Sequence, residues 1–362
     1  MEPEASERPK DLVLEFPMGA IADPYRAHLH HIIPIDFNSV QKLPESHVWH
    51  DKSHESLFGV PSADPLPVPV IDLMDSEASS LMIQACETWG IFQVIGHGLT
   101  KFMEDVESEA EKLFGLPVDQ KLKALRSPGG ATGYGRPHIS PFFDRHMWQE
   151  GFTIMGSPID HAKQLWPQDY QGFCDTIDDY QNQMKALAEK IIRIFFKSLN
   201  INFEELNWLN DSGLSSPGTA LQLNSYPPCP DPTRAMGMAA HTDTSLVTLV
   251  QQSKTSGLQV FKDGVGWVLV QPVPGALTVN LGDYLHILSN GMYTNVLHRA
   301  VVNQQIQRFS MAYFYAPPRD FTVSPVLSRV TGQMPKYRSL TVKEYVDLKG
   351  KHLEKALSLI QI

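Results

Sequence analysis

Apolar residues recur along this chain with two different periods, and the change from one to the other divides it. Ile177, Tyr180, Met184, Leu187, Ile191 and Ile194 follow one another at steps of three and four. That spacing predicts a helix over about 174–199, its apolar stripe read as core rather than as a ligand groove. Another helix is expected from Ser76 to about Trp89, with Ser79 where a capping box would carry an acid. A further helical stretch covers roughly 101–125, interrupted near Gly115 and Pro117. The last spans about 341–360 and puts Tyr345, Leu348, Leu353, Leu357 and Ile360 on one side.

From about 219 to 325 the texture is different. Short runs rich in Val, Leu, Thr and Tyr alternate with Gly, Pro and Asn turns: Ala220–Tyr226, Leu246–Gln251, Leu258–Phe261, Trp267–Val270, Leu277–Leu281 and Phe309–Tyr315. This rhythm predicts an antiparallel barrel or sandwich rather than a parallel sheet. Pro67 to Leu73 reads as an edge strand with prolines where an edge tolerates them, and Gly90 to Ile95 as a strand closed by Gly96-His97-Gly98. Gly129 to Pro141 is turn-rich. Residues 1–66 hold many Pro, His and Asp residues without periodicity and read as an arm with short helical pieces, partly draped over the core. The expected organisation is an α+β chain: arm 1–66, mixed region 67–215, β-core 216–325 and C-terminal helical segment 326–362.

Composition narrows the class of function. A net charge of −10 argues against binding nucleic acid or an anionic membrane, since both want a basic surface. Cys86, Cys174 and Cys229 are too few and too scattered for a disulfide framework. The acidic N-terminus lacks the features of a signal or transit peptide, and no apolar run is long enough to span a bilayer. A cytoplasmic protein with no obligate protein partner is expected, nuclear entry remaining open.

Fourteen histidines include several with ordinary readings. His28, His30, His31, His47, His50 and His54 in the arm read as exposed or packing residues, and His97 in its Gly-His-Gly turn as structural. His241-Thr242-Asp243 differs. In a strand, residues i and i+2 share a face, so imidazole and carboxylate would converge. His298, several expected strands further on, can return opposite them in a closed barrel. Two histidines and one carboxylate form the facial triad suited to non-haem iron(II). Arg308 follows ten residues after His298, with Ser310 on the same face, so a planar fork of donors and a hydroxyl look into one barrel. A structural ion pair is the alternative for Arg308; the flanking Val301-Val302 and Met311-Ala312-Tyr313-Phe314, read as buried strands, argue against it. Upstream, Asn224 and Tyr226 share a face of the strand that ends at Pro227-Pro228.

With these pieces in order, the sequence resembles the plant 2-oxoglutarate-dependent dioxygenases. The resemblance rests on Asn224-Ser225-Tyr226-Pro227-Pro228-Cys229, His241-Thr242-Asp243, His298 and Arg308-Phe309-Ser310, and on Cys86 to Val94 with Gly96-His97-Gly98 in the family's non-catalytic domain. It covers roughly residues 66–350 and implies a double-stranded β-helix, or jelly roll, core. It further implies Fe(II) held by His241, Asp243 and His298, and 2-oxoglutarate held by Arg308, Ser310 and Tyr226 with Asn224 beside them. O2 is the co-reactant, succinate and CO2 are by-products, and ascorbate is the expected reductant. Met147-Trp148-Gln149-Glu150-Gly151-Phe152-Thr153-Ile154, followed by Gly156-Ser157-Pro158 and Leu165-Trp166-Pro167, looks like the gibberellin 3-oxidases within that family. The implied substrate is a nineteen-carbon gibberellin acid hydroxylated at the 3β position; a gibberellin 20- or 2-oxidase or a flavonoid oxygenase is the nearest alternative. Tyr134, Trp148, Gln222 and Phe314 are candidate pocket residues, and Arg136 and His146, with His138 and Arg145, candidates to meet a substrate carboxylate. Ordinary loop or packing roles are the alternative for each. From other classes, a zinc hydrolase would leave Arg308-x-Ser310 without a purpose, and an intact triad and clamp argue against a non-catalytic binder.

Overall fold

The computed structural model describes residues 29, 31–49, 67–202, 206, 208, 216–326 and 334–362. His28, His30, His50 and His54 lie outside the described residues. The helices are α1 Ala78–Thr88, α2 Thr100–Phe114, α3 Val118–Lys121, α4 Ile159–Leu165, α5 Gln171–Ser198, α6 Asp283–Leu288 and α7 Val342–His352. The strands up to the β-core are β1 Val70–Asp72, β2 Ile91–Ile95, β3 Gly133–Gly135 and β4 Glu150–Ile154. Those of the core are β5 Gly218–Tyr226, β6 Met238–His241, β7 Val247–Gln252, β8 Leu258–Lys262, β9 Gly266–Leu269, β10 Leu277–Leu281, β11 His298–Ala300 and β12 Arg308–Ala316.

Strands β5 to β12 form two layers. One is a four-stranded sheet in the order β6-β11-β8-β9; the other, β10-β7-β12-β5, is the centre of an eight-stranded sheet. This is the double-stranded β-helix. The larger sheet continues through β2 and β1 on one edge and β4 and β3 on the other. Strands on both sides of residue 216 therefore share one sheet, and the expected ranges mark stretches of sequence rather than separate cores.

Alternation along the large sheet gives each face its character. Leu223, Met311, Phe152 and Tyr134 stand in one row of neighbouring strands and face the helices. There α2 and α5 pack on β7 and β12. The stripe read from α5 is the reason it docks: Ile177, Tyr180, Met184, Leu187 and Ile191 are all buried in this core, with Ile194 partly so. Removing an apolar side chain of this kind from water is worth about 2 kcal/mol.

Several expectations need correction. The α1 helix starts at Ala78 rather than at a Ser76 cap; its N-cap position is Glu77, whose side chain makes no capping bond. The segment from Gly129 to Ile154, read as turns and loop, contains β3 and β4, because three glycines and a short run hid the alternation. The last helix does not run to 360. It stops at His352, since Leu353 takes φ +46, and only 3-10 turns follow. Short β6 and β11 and the helix α6 were not foreseen.

Of the arm, the 3-10 turns Phe37–Ser39 and Glu45–His47 lie against the body. Phe37 and His47 pack edge-on against Trp148, at 5.0 and 5.6 Å between ring centroids. Burial, with Arg136 and His146 nearby, lowers the His47 pKa to about 3, so this histidine packs as a neutral ring. His97 is structural: one ring nitrogen lies 2.8 Å from the Gly275 carbonyl and the other accepts the Leu99 N–H. The three cysteines are buried and unbridged. Among the described residues no helix is long and apolar enough to cross a membrane.

Candidate active site

His241 and His298 are paired directly across β6 and β11. Their rings lie 4.3 Å apart between centroids. The Asp243 Oδ1 atom is 3.7 Å from the Nε2 of each. Asp243 does not share a strand face with His241, as the sequence suggested. The strand ends at His241, and Asp243 lies in the turn beyond it. What aims the carboxylate is the anchoring of that turn on α6: Asp283 N–H donates to the Asp243 carbonyl at 2.8 Å, and Tyr284 N–H to that of Ser245 at 3.1 Å. The approach is close enough to require Gly282, where a Cβ would stand 2.3 Å from the Ser245 carbonyl oxygen.

The protonation pattern suits a cation. His241 Nδ1 lies 2.8 Å from the Ala239 carbonyl and His298 Nδ1 lies 3.1 Å from that of Val296. A carbonyl only accepts, so both Nδ1 atoms carry a proton, and the Nε2 atoms, turned toward Asp243, are the ring nitrogens left to meet a metal. Burial, with His298 alongside, lowers the His241 pKa to about 4, so the ring is neutral at pH 7. Burial alone would raise the Asp243 carboxyl. The two imidazoles, Thr248 and Lys349 outweigh that and hold it below its ordinary value. Asp243 Oδ2 has no hydrogen-bond partner among the described residues. Among the described residues, these three side chains form a group whose donor atoms lie within 4.8 Å of one another. Two imidazoles and a carboxylate on one side of a cavity fit a ferrous ion with positions left open.

The cavity runs from this cluster along the inner face of the large sheet and opens to solvent, its empty space amounting to about 540 Å³ with the mouth included. Its other end is cationic. Arg308 and Tyr226 are register partners, as are Ser310 and Asn224 one step along. Arg308 is only 2 % exposed. One of its amino groups donates to Gln252 Oε1 at 2.9 Å, and its charge sits 5.0 Å from the centre of the Tyr226 ring. Its Nε and Nη1 have no partner among the described residues. A guanidinium buried with two donors unanswered is expensive unless an anion completes it. Asn224 is held by Gln149, whose amide donates to Asn224 Oδ1 at 2.7 Å, and turns its own amide toward Ser310 Oγ at 3.4 Å. Burial raises the Tyr226 phenol, and Arg308 and Ser310 beside it only partly offset this, so it remains a donor.

The sequence therefore located both ends, but fewer of the walls. Gln222 and Phe314 line the cavity. Tyr134 does not: it stands on the helix-facing side of the sheet, where its hydroxyl is bound to Glu150 Oε2. Trp148 is buried beneath the arm and donates to the Pro227 carbonyl. Arg136 Nε donates to the Ile33 carbonyl and Arg145 to that of Glu45, while His146 sits against His47. These residues fasten the arm, and none lines the cavity. His138 binds the Ala131 carbonyl. Three polar contributors went unnoticed: Thr248, Asn280 and Gln252. Thr248 and Asn280 line the cavity side by side, and Gln252 holds Arg308. Their signal was present as polar residues at alternate positions of otherwise apolar strands.

Comparison with known proteins agrees with this geometry. Residues 217–317 match the 2OG-Fe(II) oxygenase superfamily, and residues 68–169 match the family described as non-haem dioxygenase in morphine synthesis N-terminal. Gibberellin 3-beta-dioxygenase 1 of Pisum sativum is 46 % identical over 95 % of this chain and 94 % of its own. The chain belongs to the 2-oxoglutarate–iron(II) oxygenases, in the branch of the gibberellin 3-beta-dioxygenases. Gibberellin 3-beta-dioxygenase 1 of Arabidopsis thaliana is 45 % identical over 94 % of this oxygenase and 98 % of its own length. Among solved structures, JOX2 in complex with 2OG, Fe and JA superposes with a TM-score of 0.76 at 28 % identity, covering 90 % of this chain and 95 % of that one. In this oxygenase the His241–Asp243–His298 cluster is the iron site, and 2-oxoglutarate is the cosubstrate.

Proposed function

We propose that this oxygenase hydroxylates a nineteen-carbon gibberellin acid at its 3β position. The observation that carries the reading is one cavity with polar atoms at both ends that have no partner among the described residues: Asp243 Oδ2 at the histidine end, Arg308 Nε and Nη1 at the other. A cation held with the two histidines answers the first, and a dicarboxylic 2-oxo acid answers the second. Its far carboxylate takes the Arg308 fork with the Ser310 hydroxyl and the Tyr226 phenol, and its 2-oxo acid end is then directed toward the histidines. When bound, the iron supplies the activation of O2 coupled to decarboxylation of 2-oxoglutarate. The protein holds the reactants in register, with the Arg308 end deeply buried.

Phe314 and Gln222 are the proposed substrate-facing wall. Both stand on the inner face of the sheet, and Gln222 is oriented by the Thr153 hydroxyl, which donates to its Oε1 at 2.5 Å. The relatives' activity toward gibberellins at carbon 3, given by their names, supports the substrate assignment. A cytoplasmic setting, ascorbate as reductant and action without an obligate protein partner complete the proposal.

The test is direct. Anaerobic protein is mixed with Fe(II), 2-oxoglutarate and candidate gibberellin acids, oxygen is admitted, and products are identified by mass spectrometry. Succinate in step with a 3β-hydroxylated product is expected. Succinate with a product hydroxylated elsewhere would move the enzyme to another branch, and hydrolysis without oxygen would replace the oxygenase reading with a zinc one.

A further inference from the structure

The C-terminal helix α7 contributes no residue to the cavity, yet it reaches the turn between two iron ligands. Lys349 is 8 % exposed. Its ammonium donates to Thr242 Oγ1 at 2.5 Å and to Asp283 Oδ2 at 2.8 Å, and lies 3.5 Å from Glu354 Oε1. That same Glu354 oxygen accepts the backbone N–H of Thr242 at 3.0 Å. Asp283 is held by Tyr345 and Asn295, each at 2.8 Å, and its N–H binds the Asp243 carbonyl. Thr242, the residue between His241 and Asp243, is thus gripped at its amide and its hydroxyl, and Asp243 at its carbonyl.

A second observation shows that the chain accepts a cost to make this contact. Leu353 takes φ +46, a region that L residues with a branched side chain seldom adopt. The turn it makes ends α7 and leads directly into Glu354.

We propose that Lys349, with Glu354, is a positioning residue for the iron site, acting through Thr242 and Asp283 to fix the angle between His241 and Asp243. The inference rests on the iron-site assignment above. Groups one step removed from metal ligands commonly change metal affinity ten- to a hundredfold when lost, because the ligands then spend time outside the coordinating geometry. A role confined to packing α7 would instead lower stability and leave affinity alone.

Anaerobic Co(II) titration of the full chain, followed by its visible absorption, separates the two. Lys349→Met should raise the Co(II) dissociation constant about ten- to a hundredfold. Thr242→Val, which removes only the hydroxyl, should raise it several-fold. Leu348→Ala, which removes apolar packing from the same helix, should lower the melting temperature and leave Co(II) affinity within about twofold. Should Lys349→Met not fold because Asp283 is left unpaired, Lys349→Met with Asp283→Asn restores charge balance without the Thr242 contact and should show the same weakening. Unchanged affinity in the Lys349 and Thr242 variants would overturn the proposal while leaving the iron site standing. Equal weakening in Leu348→Ala would also overturn it. No Co(II) binding by the unaltered chain would remove the iron site itself.

Discussion

Two buried charged clusters lie on opposite faces of the same eight-stranded sheet, and they are built to different rules. On the helix side, Lys121 donates to Glu150 at 2.7 Å and to the Phe114 carbonyl at 3.1 Å. Glu150 also accepts from Tyr134 and, at 3.4 Å, from Ser225. All polar atoms of Lys121, Glu150 and Tyr134 are answered within the protein. On the cavity side, Arg308 and Asp243 are as deeply buried, yet keep three atoms with no partner among the described residues. Burial of charge alone does not mark a functional site, because a satisfied pair can be plain scaffold. Burial of charge left incomplete marks the place where a ligand finishes the network.

The comparison predicts opposite behaviour for the two faces. The largest effect is expected at the histidines. His241→Ala should remove iron binding and all detectable turnover while the chain stays folded, measured by metal titration, succinate release and circular dichroism; an active variant would show that the ligand set is wrong. Next is Lys121→Met on the helix face. Taking one partner from a buried pair costs about 3–5 kcal/mol. Its melting temperature should fall, whereas 2-oxoglutarate affinity in the folded protein should match that of the unaltered chain. A parallel loss of affinity would mean that the helix-side cluster belongs to the site after all.

Arg308→Lys is third. A point charge cannot reproduce the fork, so the 2-oxoglutarate dissociation constant should rise about ten- to a hundredfold, or 1.4–2.8 kcal/mol. Calorimetry on the anaerobic metal-loaded protein checks it, and equal affinity would remove Arg308 from the cosubstrate site.

How much of this was legible in the sequence follows from the same contrast. Helix α5 was readable because its stripe is set by local period and docks on one apolar face. The iron ligands and the arginine stood out because side chains of unusual chemistry lay in or beside strand-like runs, and the family resemblance supplied the roles expected of them. Tyr134 and Trp148 were misplaced for a different reason. Whether an aromatic residue looks into the cavity or away from it depends on strand register, and β3, with its glycines at 133 and 135, gives no alternation from which register can be read. Arg136 and Arg145 bind backbone carbonyls of the arm, partners that leave no trace in side-chain pattern. The turn carrying Asp243 is shaped by α6 and α7, some forty and a hundred residues further on, and no local rule connects them.

The smallest expected effect is the sharpest test of the contrast. Asn280 is 1 % exposed, lines the cavity beside Thr248, and has neither its carbonyl oxygen nor its amide nitrogen bonded among the described residues. A buried polar group left unmade costs about 1–3 kcal/mol, and hydration from an open cavity returns part of that. Asn280→Leu, close in volume, should therefore stabilise the metal-free protein by about 1 kcal/mol, which for a chain of this size is a rise of roughly 1–3 °C in melting temperature. Ser225→Ala on the opposite face should move the other way, since that hydroxyl receives Gln307 at 2.9 Å and donates to Glu150. Scanning calorimetry of both variants without metal reads the sign. If the two shifts share a sign, satisfaction of polar groups is not what separates the scaffold face from the reactive one.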